Sequence, residues 1–396
     1  MNFQLPIHLI YAQPGIPQQE LAEITIQYMN PTFTEPPVDP ILRNQYETDD
    51  PLYYPVHNSL TVLNYPDYQY QVNIQFANFD EIQSTLESHG INIKVIKLRF
   101  GNYSDSNKIS LFMNLAWYHC KNVKELYLYS ESTHDHLGLN NISTWFLVSQ
   151  TLPFTKLEHL HLECLSDCVC GEIGYKDRIL DLLLKSKHKN ISKLTMRRFH
   201  LETKGFEIIA TRLPSLKVLH YHGINGWDRD HGWFDQNVCD YDILATLKQL
   251  EELDIQDYRW FEAVRFIHGL AVNAPAIEKL TLKRLMGPYL EPEQDILNSI
   301  GYMQNIKSLK MSTFQQLDTI DFGAIAWRSD IRELEFDIVQ PENHFTTRLL
   351  NILQEARPLR RITVNELDGF GEHPIDDSLR YSRFFNERKP SRLNGL

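Results

Sequence analysis

One six-residue pattern runs through most of this 396-residue chain: an aliphatic residue, two others, a second aliphatic, one other, and a third apolar residue. Its copies are Ile93-Ile96-Leu98, Val123-Leu126-Leu128, Leu157-Leu160-Leu162, Ile191-Leu194-Met196, Leu216-Leu219-Tyr221, Leu250-Leu253-Ile255, Ile277-Leu280-Leu282, Ile306-Leu309-Met311, Ile331-Leu334-Phe336 and Leu359-Ile362-Val364. Their first members lie 25 to 34 residues apart, about 29.6 on average. A repeat of roughly 20–50 residues marks stacked supersecondary units, none of which can bury its apolar face alone. Such a solenoid presents a long surface and seldom a closed pocket.

Within a copy, the fourth and sixth positions alternate as a strand requires. They place one face inward and leave the third, fifth and seventh positions facing out. Each copy then runs into helical spacing. The segments are Lys108 to Cys120, Tyr175 to Lys189, Thr203 to Leu213, Tyr258 to Val272, Glu293 to Met303 and Thr346 to Ala356. Apolar residues at i, i+3, i+4 and i+7 there predict one-sided helices. Pro153, Pro214, Pro275 and Pro358 are placed to close helices before the next strand, since proline cannot continue a helix and restricts its predecessor. Strand, turn, helix and return at this period predict an α/β solenoid of about ten repeats. Parallel strands would line its concave face and helices its convex face, bent into a horseshoe.

This pattern resembles the leucine-rich-repeat family, in the long intracellular form found in ribonuclease-inhibitor-like and F-box-associated arrays. The resemblance covers residues 93–367, about 70 per cent of the chain. That family usually places asparagine or cysteine at the ninth position, where the side chain satisfies turn backbone. Here the ninth position of the last eight copies is Leu165, Phe199, Ile224, Tyr258, Leu285, Phe314, Val339 and Leu367. An apolar turn stands in for the polar ladder. The resemblance implies recognition of another protein on the concave face, in an F-box-like substrate receptor of ubiquitin ligation. An F-box itself would be a helical trio opening at a Leu-Pro. Leu5-Pro6 is present, but Pro14, Gly15 and Pro17 interrupt its first helix, so no clear F-box is read.

Four segments are expected. Residues 1–66 hold ten of the nineteen prolines and form an irregular arm, in which only Gln18 to Met29 has helical character. Residues 67–92 form an N-terminal cap or degenerate repeat, with a strand over Tyr70 to Phe76 and a helix over Asp80 to His89. Leu60-Leu63-Tyr65 offers a degenerate eleventh copy. Residues 93–370 are the repeat domain, and residues 371–396 a basic tail. In that tail Arg380, Arg383, Arg388, Lys389 and Arg392 outweigh Glu387, either as a solvated terminus or as a dock for an acidic partner.

The formal charge is −12, which disfavours nucleic acid and anionic membranes as partners. No apolar run reaches transmembrane length. The start, Met1 to Pro6, lacks a cationic region and has only Leu9 to Ala12 as an apolar stretch, so a secretory signal is not expected. Five scattered cysteines do not make a disulfide framework. A reducing compartment, cytoplasm or nucleus, is expected.

The outward strand positions are the default binding surface. The early copies offer Glu125, Tyr127 and Tyr129, then His159, His161 and Glu163, then Lys193, Thr195 and Arg197, then Val218, His220 and His222. Later copies, from Glu252 and Asp254 onward, alternate in sign. Rings bordered by charge are what protein interfaces use, so Tyr127, Tyr129, His159, His161, His220, His222 and Asp254 are candidate partner-binding residues. The loop from Gly223 to Asn237 adds Trp227 and Trp233, read either as an anchor for a partner or as a staple folded back on the array. His159, His161, Cys164, Cys168 and Cys170 invite a metal- or ligand-binding sensor as an alternative, although their spacing matches no zinc module. A purely structural scaffold is a further alternative. No phosphate loop, serine elbow or metalloprotease helix is present in the sequence. The expectation is a non-enzymatic module without cofactor, binding a protein of unspecified identity.

Overall fold

The computed structural model describes residues 60–64, 69–73, 79–100, 106–130, 154–164, 175–185, 190–199, 201–223, 239–257, 262–283, 293–312, 330–338 and 361–366. These fall into two compact units, the described residues up to 277 in one and those from 278 in the other.

The first unit contains strands β1 (Leu60–Asn64), β2 (Gln69–Asn73), β3 (Val95–Phe100), β4 (Glu125–Ser130), β5 (His159–Cys164), β6 (Lys193–Arg197), β7 (Val218–His222) and β8 (Glu252–Gln256). Its helices are α1 (Phe79–His89), α2 (Ser106–His119), α3 (Tyr175–Lys185), α4 (Thr203–Arg212) and α5 (Ala263–Asn273), with a short 3-10 helix at Asp242–Thr246. Strands β3 to β8 pair in parallel, each with its predecessor in sequence. The register is in step: Leu126 lies opposite Leu160, Leu160 opposite Leu194, Leu194 opposite Leu219 and Leu219 opposite Leu253. The second unit contains β9 (Lys279–Lys283), α6 (Glu293–Ile300), β10 (Ser308–Ser312), β11 (Glu333–Ile338) and β12 (Arg361–Glu366), and its four strands are also parallel. The chain is thus α/β, with parallel strands and interspersed helices.

The recurring aliphatic residues form the inner layer. From Ile93 to Leu334, every position of the pattern whose burial is described is at most 4% exposed. Burying such side chains contributes roughly 1.5–3 kcal/mol each against chain entropy. The helices cover this layer. Phe206 of α4 meets the ring of Tyr221 on β7 edge-on at 5.0 Å, and the Tyr221 hydroxyl accepts a bond from the Leu201 amide at 3.3 Å.

The structure adds a position to the pattern that the sequence alone does not disclose. Three residues before the first aliphatic stands a buried apolar or small residue: Gly90, Cys120, Phe154, Leu213, Leu247, Ala274 or Met303. In six of these copies a tight turn is closed by a backbone bond from the aliphatic amide to that residue's carbonyl, as in Val123 to Cys120, Leu157 to Phe154 and Leu216 to Leu213. Pro214 and Pro275 occupy the second position of such turns, which suits the fixed φ of proline. Cys120-Lys121-Asn122-Val123 makes the same turn without proline, so the buried first residue is the common requirement.

Copies are also tied together one residue after the first aliphatic. The carbonyl there accepts two amides from the next copy: Lys94 receives Lys124 and Glu125, Lys124 receives Glu158 and His159, and Lys217 receives Glu251 and Glu252. Side chains at the same position pair along the edge, Lys124 with Glu158 at 2.7 Å and Lys217 with Glu251 at 2.6 Å. Being half-exposed, such pairs contribute about 0–1 kcal/mol each.

Helix placement follows the periodicity, with differences at the ends. The helix expected over Tyr258 to Val272 begins at Ala263, because Glu262 has φ 49°, a left-handed conformation that no helix interior accepts. The one expected to reach Met303 stops at Ile300, where Tyr302 and Met303 tighten into i→i+3 bonds to Ser299 and Ile300. Helix α4 is seated by its neighbour: Asp177 of α3 accepts the Glu202 amide at 3.2 Å. A Cβ on Gly205 would lie 2.5 Å from that carboxylate, so glycine is needed for this close approach. The helix over Thr346 to Ala356 and the prolines 153 and 358 lie outside the described residues.

One expectation needs correction. Leu60-Leu63-Tyr65 is not a further parallel copy, because β1 pairs antiparallel with both β2 and β3. Only four residues separate β1 from β2, too few for a parallel crossover, and a hairpin results. Of the ninth-position residues, Phe199 alone is among the described residues. It is fully buried, with the Lys176 ammonium 5.5 Å from its ring centroid.

Candidate functional site

The strand alternation that buries the aliphatics turns Tyr127, Tyr129, His159, His161, His220, His222 and Asp254 to the opposite, outward face of the first unit. Trp227 and Trp233 lie outside the described residues.

The tyrosines and two of the histidines form one cluster. Tyr127 and Tyr129 sit two residues apart on β4 with nearly parallel rings, 6.4 Å between centroids. His161, on the neighbouring β5, is 5.1 Å from Tyr127 and 5.4 Å from Tyr129. His159 meets Tyr127 edge-on at 5.1 Å, and the Lys97 ammonium stands 5.4 Å from the Tyr127 centroid. Though outward-facing, His159 and His161 are only 9% and 7% exposed, because the rings cover one another.

Hydrogen bonds fix the protons. The Tyr127 hydroxyl donates to Glu125 Oε2 at 2.7 Å, so its oxygen can only accept from His159 Nδ1 at 3.4 Å. That tautomer leaves His159 Nε2 to accept from the Thr195 hydroxyl at 3.2 Å. His161 Nε2 donates to Glu163 at 2.9 Å. Burial, with Lys193 nearby, pushes His159 down to about 4 from its ordinary 6.5. Burial likewise lowers His161. Burial would raise Glu163, but the His161 hydrogen bond together with Arg197 and Arg198 outweighs it and holds the carboxylate ionised. Burial and Glu125 keep Tyr127 protonated. At neutral pH the cluster is therefore two uncharged imidazoles, two phenols and carboxylates at its border.

The second group links β7 to β8. His220 Nε2 lies 2.7 Å from Glu252 Oε1, and His222 Nε2 lies 3.0 Å from Asp254 Oδ2. Gln256 donates to Asp254 Oδ1 at 3.1 Å. Burial acts to raise Asp254, yet these hydrogen bonds win and lower it. Thr195 on β6 stands between the two groups, since its register partners are His161 and His220.

The sequence singles out the rings but not Glu125, Glu163 and Thr195, which complete their hydrogen bonds. Cross-strand register carries that information: Glu125, His159 and Lys193 form one row, and Tyr127, His161 and Thr195 another. The same alternation bears on the metal cluster considered from the sequence. Cys164 points to the inner face, opposite His159 and His161, and is buried as a free thiol. Cys168 and Cys170 lie outside the described residues. No group of three metal-ligating side chains occurs among the described residues. Nor is any described helix long and apolar enough to cross a membrane. No family model matches this sequence, and no curated protein does.

Proposed function

We propose that the chain is a non-enzymatic binding module, a leucine-rich-repeat array that holds another protein against the outward face of its strands. The observation that best supports this is the cluster of Tyr127, Tyr129, His159 and His161. These rings add nothing to the aliphatic layer, which is complete on the other face. The orientations of Tyr127, His159 and His161 are already set by hydrogen bonds, and Tyr129 stacks against Tyr127 and His161, so a partner laid over them buries ring area with little further loss of entropy. The imidazoles are uncharged, which lowers the desolvation penalty of covering them.

On the finer reading, drawn from the family resemblance, the array is an F-box-like substrate receptor of ubiquitin ligation. Co-purification of a ubiquitin-ligase adaptor with the full chain tests that step alone. Its absence, with partners still recovered, leaves the binding module. For the module itself, the full chain and its Tyr127→Ala/Tyr129→Ala variant are cross-linked to partners in native cytosol. The variant is expected to stay folded by circular dichroism and to lose about 2 kcal/mol of partner affinity. Equal capture by the two proteins rejects the outward face as the binding surface.

A further inference from the structure

Many cations among the described residues pair with carboxylates. Lys124 pairs with Glu158, Lys217 with Glu251, Lys204 with Glu207 and Arg212 with Asp181. Arg265 gathers Asp240, Asp242 and Glu262. Two cations of strand β6 do not, and they differ from the other unpaired lysines and arginines in lying together among the outward rings. Lys193 and Arg197 lie on its outward face with Thr195 between them, and among the described residues neither makes a hydrogen bond or an ion pair.

The register gives their surroundings. Lys193 has His159 and Val218 as neighbours, and Arg197 has Glu163 and His222. The nearest carboxylates are hydrogen-bonded to other groups, Glu125 to Tyr127, Glu163 to His161, Glu252 to His220 and Asp254 to His222, and Arg197 acts on Glu163 only through its field. In a chain of net charge −12, one strand thus offers two cations without a direct ion pair in the middle of a ring-bearing surface.

We infer that β6 is the electrostatic centre of the docking surface, and that the partner segment it takes is an extended acidic peptide. This rests on the binding reading above and gives it a chemistry. Lys193 and Arg197 are four positions apart on one strand, so the two carboxylates they accept are separated by about 13 Å, the span of residues i and i+4 in an extended chain. Apolar side chains beside those carboxylates lie over His159 and His161 on β5, and those reaching one strand further meet Tyr127 and Tyr129. Long-range repulsion between an acidic partner and this acidic chain is screened beyond about 8 Å at physiological salt, which leaves the local contacts to decide.

The test is selection of a random peptide library displayed on phage against the full chain, followed by fluorescence anisotropy of the selected peptides. Three variants are compared with the wild type: Lys193→Glu/Arg197→Glu, Tyr127→Ala/Tyr129→Ala, and Lys94→Glu/Lys248→Glu, which makes the same charge change at two other exposed lysines. Each is first checked by circular dichroism to be folded at the assay temperature. The expected result is enrichment of aspartate and glutamate four positions apart. Binding should weaken roughly ten- to a hundredfold in the β6 variant and by less than about threefold in the charge-matched control. Peptides without acidic residues that lose binding only in the tyrosine variant would overturn the acidic assignment while keeping the outward face as the site. Peptides indifferent to both the tyrosine and β6 variants, or no enrichment at all, would overturn both. Equal loss in the β6 and control variants would mean general charge attraction, and would also overturn the assignment.

Discussion

The outward faces of β4–β5 in the first unit and β9–β11 in the second are built on the same backbone pattern and filled in opposite ways. On β4–β5 the outward positions carry rings, closed by hydrogen bonds among a phenol, two neutral imidazoles and a threonine. On β9–β11 they carry fixed charge. Glu335 holds Lys283 at 3.3 Å and Lys310 at 2.7 Å, and although burial acts to raise it, the two ammonium groups keep it below the usual carboxylate range. The inner layers beneath differ little: Leu160 and Leu162 in one, Leu309 and Met311 in the other, all buried. What repeats is the packing that makes a strand stack. What varies is the face left over, and only the first region collects rings whose charge is neutralised by burial.

If that division holds, the largest effects come from the shared layer and should be alike in both places. Leu162→Ala and Leu309→Ala are each expected to lower stability by roughly 2–5 kcal/mol, because each removes a fully buried side chain between neighbouring copies. Chemical denaturation of the two variants checks this. A near-neutral result for either would mean that the two inner layers are not equivalent.

An effect of intermediate size should separate the regions by pH. The folded state holds His159 near 4, below its ordinary 6.5, and lowers His161 as well. As pH falls from 6.5 toward 4, the unfolded chain takes up protons that the folded chain refuses, so stability is full above 6.5 and declines through that window. A tenfold difference in proton affinity between the two states corresponds to about 1.4 kcal/mol, so a loss on the order of 2 kcal/mol by about pH 4.5 is expected. Glu335, whose folded value lies below 4.5, keeps its contribution throughout that window and loses it only at lower pH. Denaturation curves between about pH 7.5 and 4.5 should therefore slope for the wild type and slope less for His159→Gln, in which His161 alone remains. A wild type with no slope there would sink the account of the buried histidines.

These differences mark how far the sequence can be read. The inner layer is legible because a six-residue pattern repeated at a near-constant period has one packing solution, and Ile93 through Leu334 are buried as it requires. The outward rings are legible as a set, since alternation assigns Tyr127, Tyr129, His159 and His161 to one face. Their partners are not, because Glu125, Glu163 and Thr195 look like ordinary solvated strand residues until the register sets them beside an imidazole or a phenol. The hairpin of β1 and β2 is hidden for a related reason: Leu60-Leu63-Tyr65 carries the right spacing, while strand direction depends on the length of the connection. The buried residue three places before each copy is masked by its variety, since glycine, cysteine, phenylalanine, leucine, alanine and methionine share only their position.

Within the ring cluster, Tyr127→Phe is expected to cost about 1 kcal/mol of stability, read from denaturation curves. It removes the donor to Glu125 and the acceptor for His159 while keeping the ring. The same change should leave the salt dependence of unfolding unaltered, because no fixed charge is lost.

The smallest effect belongs to the charged region. Glu335→Gln frees Lys283 and Lys310 from the carboxylate that holds both, but all three side chains remain partly exposed, between 21% and 44%. Solvent-exposed pairs contribute about 0.2–1 kcal/mol, so a loss near the middle of that range is expected at low ionic strength. Raising the salt to about 1 M shortens the screening length to roughly 3 Å and should erase most of the difference from the wild type. Denaturation of both proteins at low and high salt measures it. A gap that persists at high salt would show that Glu335 acts through hydrogen-bond geometry rather than charge, and would bring its face closer in kind to that of β4 and β5.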